Sequence, residues 1–205
     1  GLEIRRQAQS LWLRLAEDEG RRLRWLAQQA RENPALQRAM RAGDRAALQA
    51  AARAEFGTMR NESGLSHLSF ISPRRQTLLR LHDPDRSGDF VSRPVLAEAQ
   101  RLDAPVEGWE LASTGVPVLR HVSPWRVDGQ LIGYVELGTE LGWFARRLGD
   151  LLSLEVIAAL HKRQGDAQAF ARGKQLLGLA GNWDEHAQLV LLHNSLPGLP
   201  PGLLG

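Results

Sequence analysis

LSHLSFIS (65–72), QTLLRLHDP (76–84), VLAEAQRL (95–102), GWELAS (108–113), VPVLRHVSPW (116–125) and QLIGYVEL (130–137) decide the fold of this chain. Five of these runs are rich in β-branched and apolar residues at period two, as strands are, and VLAEAQRL has helical spacing. Strand, strand, helix and three further strands is an order that suits an antiparallel five-stranded sheet. Such a sheet can cup one face around a small ligand. Gly115 and Asp128-Gly129 fall where hairpin turns are needed, the latter a strong two-residue signal. Ser72-Pro73 ends the first strand and Gly138 is expected to close the last.

Outward from the sheet, residues 2–32 carry helical periodicity through Leu11, Leu15, Leu23 and Leu26, with Trp12 and Trp25 beside them. Asn33-Pro34 supplies a stop, and a second helical stretch at 35–55 is interrupted at Gly43-Asp44. Turn chemistry at Gly57 and Asn61–Gly64 precedes the first strand. After the sheet, Leu141–Leu152 resumes a helical pattern. LSLEVIAALHK reads as a strand, QAFARGKQLLG as a helix and HAQLVLLHNS as a strand, before an irregular LPGLPPGLLG. The expected organisation is a helical region at 1–56, a ligand-binding sheet module at 57–140, and a smaller, truncated module at 141–205.

Composition narrows the function. At 205 residues and 43% hydrophobic content the chain can bury a real core. No apolar run approaches the roughly 20 residues of a membrane helix. Absent cysteine excludes disulfides and thiolate metal sites while leaving an oxidising compartment open. Among 26 basic residues only Lys162 and Lys174 are lysines, but 23 acids balance them to a net +3, so nucleic acid is not an expected partner. The first residue is Gly1, and the chain is expected to be a piece of something longer. The sequence contains no nucleotide loop or nucleophile elbow, and its six histidines form no HxH or HxxxH pair. Asp83, Asp85, Ser87 and Gly88 mimic a calcium loop, but Pro94 stands where the bidentate glutamate belongs. No catalytic residue, cofactor or metal is therefore expected.

The densest polar cluster is Arg80 to Asp89, with Arg93 following at the start of the helix. Alternation puts Arg80 and His82 on one strand face. Free N–H groups at the helix start favour an anion beside Arg93. Arg120 shares a face with Val122, and Glu110 and Tyr134 lie on neighbouring strands. Arg80, His82, Arg93, Glu110, Arg120 and Tyr134 are thus candidate ligand-binding residues, with guanidiniums suited to a carboxylate. A second reading is open: Arg80 or Arg93 pairs Asp89 or Glu110 and pins the loop. Trp125 is a candidate lid. A protonatable His82 against an anion would tighten binding below about pH 6.5.

LRLHDPDRSGDFVSR, EGWEL, VLRHVSPW and LIGYVELGTEL, together with LEVIAALHK and Asn182-Trp183-Asp184, resemble the double Cache sensory domain of bacterial two-component sensor kinases and chemoreceptors. The resemblance implies an α+β fold: a long N-terminal helix packed on a PAS-like five-stranded antiparallel sheet, then a smaller partial α/β module. It also implies an extracytoplasmic, periplasmic sensor in a membrane-anchored parent, taking a small anionic ligand of the carboxylate class. The family's polar motif maps onto Arg80, His82, Gly88-Asp89, Arg93, Glu110 and Arg120. Homodimerisation through the first helix, or a ligand-independent interaction module, is the alternative.

Overall fold

The computed structural model describes residues 2–57, 59, 63–199 and 202. Asn61 and Glu62 of the expected turn, and Pro200, Pro201 and Leu203–Gly205 of the irregular tail, lie outside the described residues. Six α-helices are described: α1 (Leu2–Glu32), α2 (Pro34–Ala42), α3 (Arg45–Phe56), α4 (Pro94–Leu102), α5 (Leu141–Leu152) and α6 (Ala167–Leu177). The strands are β1 (Leu65–Ile71), β2 (Thr77–Arg80), β3 (Val106–Leu111), β4 (Pro117–Val127), β5 (Gln130–Glu140), β6 (Ile157–His161) and β7 (Leu189–Asn194). They form an antiparallel five-stranded sheet of order β2-β1-β5-β4-β3 and a two-stranded β6-β7 sheet. The α+β fold read from the sequence is the one observed.

Contacts within the chain define two compact units: 19–110 with 119–139, and 1–18 with 111–118 and 140–205. In the first, Leu23, Leu26, Ala27 and Ala30 form the buried stripe of α1 at helical spacing. The break between α2 and α3 has local causes. Asn33 accepts the Ala35 and Leu36 N–H groups at the start of α2, and Gly43 ends it in the left-handed region. Asp44 then caps α3 through the Ala47 N–H. These helices bury Leu36, Met40, Leu48 and Phe56 with Phe70, Leu79, Trp125, Val135 and Leu137 of the sheet. A second apolar cluster joins Val95, Leu96 and Ala99 of α4 to Ile71, Val91, Val122 and Tyr134. Period two in β5 sends Val135 and Leu137 to the first cluster and Tyr134 to the second.

Two strand ends differ from expectation. β2 stops at Arg80, because the Asp83 N–H turns back to the Arg80 carbonyl and the Arg86 N–H to the Asp83 carbonyl. β5 runs past Gly138, because β1 still offers partners: His67 pairs Gly138 and Leu65 pairs Thr139. The other unit has its own core, in which Val116, Val118, Leu160, Phe170, Val190 and Leu192 come together.

Gly133 shows how closely β5 and its neighbour β1 approach. Its φ is +148°, and a Cβ there would lie 2.3 Å from the Ile71 carbonyl oxygen. Gly133→Ala is expected to destabilise the fold by about 2 kcal/mol, read as a lowered urea midpoint. An unchanged midpoint would show that the backbone yields at no cost.

Candidate functional site

Glu136 sits mid-strand in β5, 1% exposed, where alternation turns it away from Val135 and Leu137. A lone carboxylate buried there would be prohibitively costly. Arg120 of β4 donates to its Oε1 at 2.8 Å, and Arg93, at the cap position of α4, donates to its Oε2 at 2.6 Å. Burial alone would raise the Glu136 carboxyl, but Arg120 and Arg93 outweigh it and hold it down to about 2. Both arginines also face Glu110 of β3, with Nε atoms 2.9 Å (Arg120) and 3.6 Å (Arg93) from its Oε1. These are ion pairs off the hydrogen-bonding direction: neither Nε nor Glu110 Oε1 has a hydrogen-bond partner. Glu110 Oε2 accepts the Val95 N–H at 3.2 Å. The anion expected at the helix start is thus a carboxylate of the chain itself.

Arg80 makes the same kind of closure. It grips Asp89 with two 2.7 Å bonds and donates to the Arg86 carbonyl at 3.0 Å. The bidentate hydrogen bonds to Arg80 hold the Asp89 carboxyl below the ordinary aspartate range. Arg80, Arg93 and Arg120 thus stand against Asp89, Glu110 and Glu136, three cations against three anions.

The structure therefore brings together Arg80, Arg93, Glu110 and Arg120, and each guanidinium expected to grip a ligand already holds a carboxylate. Tyr134 lies in the apolar cluster with Val95 and Val122. Trp125 is not a lid. It is fully buried in the helix-facing core, 6.2 Å from Phe70, with its indole N–H on the Arg31 carbonyl. His82 lies beyond the end of β2, where its Nδ1 accepts the Leu68 N–H at 3.2 Å. Burial, with Arg120 adding, pushes its pKa down to about 3 against the pull of Glu136. It is neutral at ordinary pH, so the expected tightening below pH 6.5 has no proton to drive it.

Two features escaped the sequence reading. Glu136 is one; its signal was an acid alternating with apolar residues mid-strand. The other is a hydrogen-bonded row on β3 and β4. Glu107 Oε1 lies 3.0 Å from His121 Nδ1, and Ser123 Oγ lies 2.6 Å from His121 Nε2. The order matches a nucleophile–base–acid triad, but Ser123 and His121 are both 0% exposed. No substrate reaches that hydroxyl. Arg24 of α1 pairs Glu107 at 2.8 Å, so the row ties α1 to the sheet.

A cavity of about 260 Å³ opens beside His82, walled by Phe56, Leu65 and Leu81 and bordered by Arg53 and His67. The His67 and His82 rings lie 4.5 Å apart at 59°.

Residues 3–189 match the family described as the double sensory domain of two-component sensor kinases, the dCache group. The chain belongs to this family. Solved structures share the fold. The extracellular domain of vpHK1S-Z8, described as a histidine kinase, is 16% identical with a TM-score of 0.56, covering 77% of this chain and 64% of that one. The chain therefore spans under two thirds of that relative. A domain of a sensory box/GGDEF family protein from Vibrio parahaemolyticus is 14% identical, with TM-score 0.59 and coverage of 90% and 86%. The periplasmic domain of LuxQ from Vibrio cholerae is 19% identical, with TM-score 0.54 and coverage of 78% and 76%. No curated protein matches the sequence.

The His82 environment sets a pH dependence of this double Cache domain's stability. Between its ordinary 6.5 and about 3, the unfolded chain binds a proton at His82 that the fold refuses. Stability should thus fall as pH drops through that window, by up to about 1.4 kcal/mol per unit from this group. His82→Asn keeps an acceptor for the Leu68 N–H, and should flatten the slope of unfolding free energy between pH 6.5 and 4.5. Parallel slopes in the two proteins would show that His82 titrates normally.

Proposed function

We propose that the chain is the extracytoplasmic ligand-sensing domain of a bacterial transmembrane receptor, reading a small carboxylate-class metabolite and relaying the change through its terminal helices. Membership of the sensory family supports this, as do neighbours described as extracellular and periplasmic domains. Among the described residues no helix is long and apolar enough to cross a membrane. The triad-like row has a buried hydroxyl, which favours sensing over catalysis.

The observation that carries the ligand class is the Glu110 carboxylate, held by two guanidiniums at the α4 N-terminus. The fold stabilises a carboxylate there by charge, hydrogen bond and helix dipole together. In this reading Arg80, Arg93 and Arg120 form a clamp with their acids, and a ligand favours one arrangement of the clamp, loop 82–93 and strands. It can do so only by its difference in affinity between the two arrangements.

Exposed Ile4, Leu13 and Trp25 along α1, at 55%, 57% and 55%, favour a second reading. There the first helix mediates homodimerisation or a protein partner, and the clamp is purely structural.

A thermal-shift screen of small carboxylates, amino acids and inorganic phosphate separates them. A rise in melting temperature with carboxylates alone is expected. No rise with any carboxylate, together with concentration-dependent dimerisation in sedimentation, would replace the first reading by the second. Arg93→Ala should destabilise the free domain by about 3 kcal/mol, because Glu136 loses one of its two cations inside the protein. An undiminished urea midpoint would show that the clamp does not hold the fold.

A further inference from the structure

Because β2 pairs with β1 only at Ser69, Phe70 and Ile71, the strand edge before Ser69 is left to other partners. His82 supplies one of them. Its Nδ1 accepts the Leu68 N–H, so that nitrogen carries the lone pair and the neutral ring carries its hydrogen on Nε2. No described residue accepts a hydrogen bond from Nε2 of this 7% exposed side chain, and the ring borders the cavity. From His82 the cavity is thus offered a donor and not a lone pair. A metal cation, which needs the lone pair, finds no ligand at that atom.

Arg53 adds a charge of the right sign. It is exposed on the last turns of α3, lines the same cavity, and makes no ion pair or side-chain hydrogen bond with any described residue. The contrast with Arg80, Arg93 and Arg120, each closed on an acid, is plain. Phe56, Leu65 and Leu81 line the same cavity. At about 260 Å³ the space falls just below the range of about 300–1,000 Å³ typical of drug-sized ligands.

We propose that this cavity is the site of a small monocarboxylate with a short apolar body. The head group lies between the His82 Nε2–H and the Arg53 guanidinium, and the body packs on Phe56, Leu65 and Leu81. The proposal rests on the carboxylate reading above and moves its site from the closed arginine clamp to the edge of β1. A ligand there would join α3 to the strand edge and touch His82, whose other side feels Arg120 and Glu136.

Benzoate and butyrate, with benzamide as uncharged control, should be titrated calorimetrically into the domain and into Arg53→Ala. Arg53 is exposed, so the variant should keep the melting temperature of the free protein. Carboxylate binding at least tenfold tighter than benzamide, lost at least tenfold in Arg53→Ala, is the expected result. Undiminished binding in Arg53→Ala would overturn this site while leaving the carboxylate reading intact. No binding of either carboxylate to the unaltered domain would overturn both. An independent check is the long-range ¹⁵N spectrum of the histidine rings. Benzoate should shift the His82 Nε2–H signal, and a zinc titration that abolishes that proton would overturn the fixed tautomer and the proposal with it.

Discussion

The carboxylate of Glu136 is the constraint on which the sheet's polar face depends. It occupies the middle of an apolar strand, out of reach of water, and can stay ionised only if cations come to it. Arg120 comes from the neighbouring strand and Arg93 from the cap of α4. Two guanidiniums on one acid leave a positive excess, which Glu110 cancels, and Glu110 in turn satisfies a free N–H at the start of α4. One buried charge therefore fixes where β3, β4, β5 and α4 meet. Arg80 and Asp89 repeat the closure at the near end of loop 82–93.

The opposite face of the sheet is bound to α1 by polar contacts at several heights. Thr139 donates to Glu19, Arg24 holds the Glu107–His121–Ser123 row, and Arg31 bonds both the Pro124 carbonyl and, through its own carbonyl, Trp125. Arg120 and His121 are adjacent on β4 and point to opposite faces. A shift of that strand thus alters the clamp and the α1 contacts together. A relay of the proposed kind would run through this strand, which carries a charge network on each side.

The order of elements along the chain was legible because its signals are local. Asp128-Gly129, with φ values of 52° and 76°, makes the hairpin that its composition announces, and Gly43-Asp44 breaks the helix as read. The lid expected of Trp125 overlooked parity: five residues beyond Arg120 on one strand, it had to point to the other face. What the sequence could not show were the partners. Glu136 lies 43 residues from Arg93 and 16 from Arg120, and no spacing rule encodes such pairings. The end of β2 was equally hidden, since Leu81 bonds back to the Leu68 carbonyl while His82 substitutes an imidazole for a strand.

A clamp of matched charges is a poor receptor for an added anion and a good element for a switch. An incoming carboxylate that simply joined the three acids would leave one of them short of a cation, at a cost of several kcal/mol in a dry site. Direct insertion is therefore disfavoured unless an internal acid swings out to water. Binding at the edge of the clamp avoids that cost. In the proposed reading, a carboxylate beside His82 and Arg53 would add its charge next to a cation with no acid partner among the described residues, and would bias the network through His82 and its neighbours Arg120 and Arg80. A tenfold difference in affinity between two arrangements supplies about 1.4 kcal/mol, which moves an evenly poised pair of states to roughly ten to one. So small a bias suffices only where the alternative pairings of such a clamp lie close in free energy.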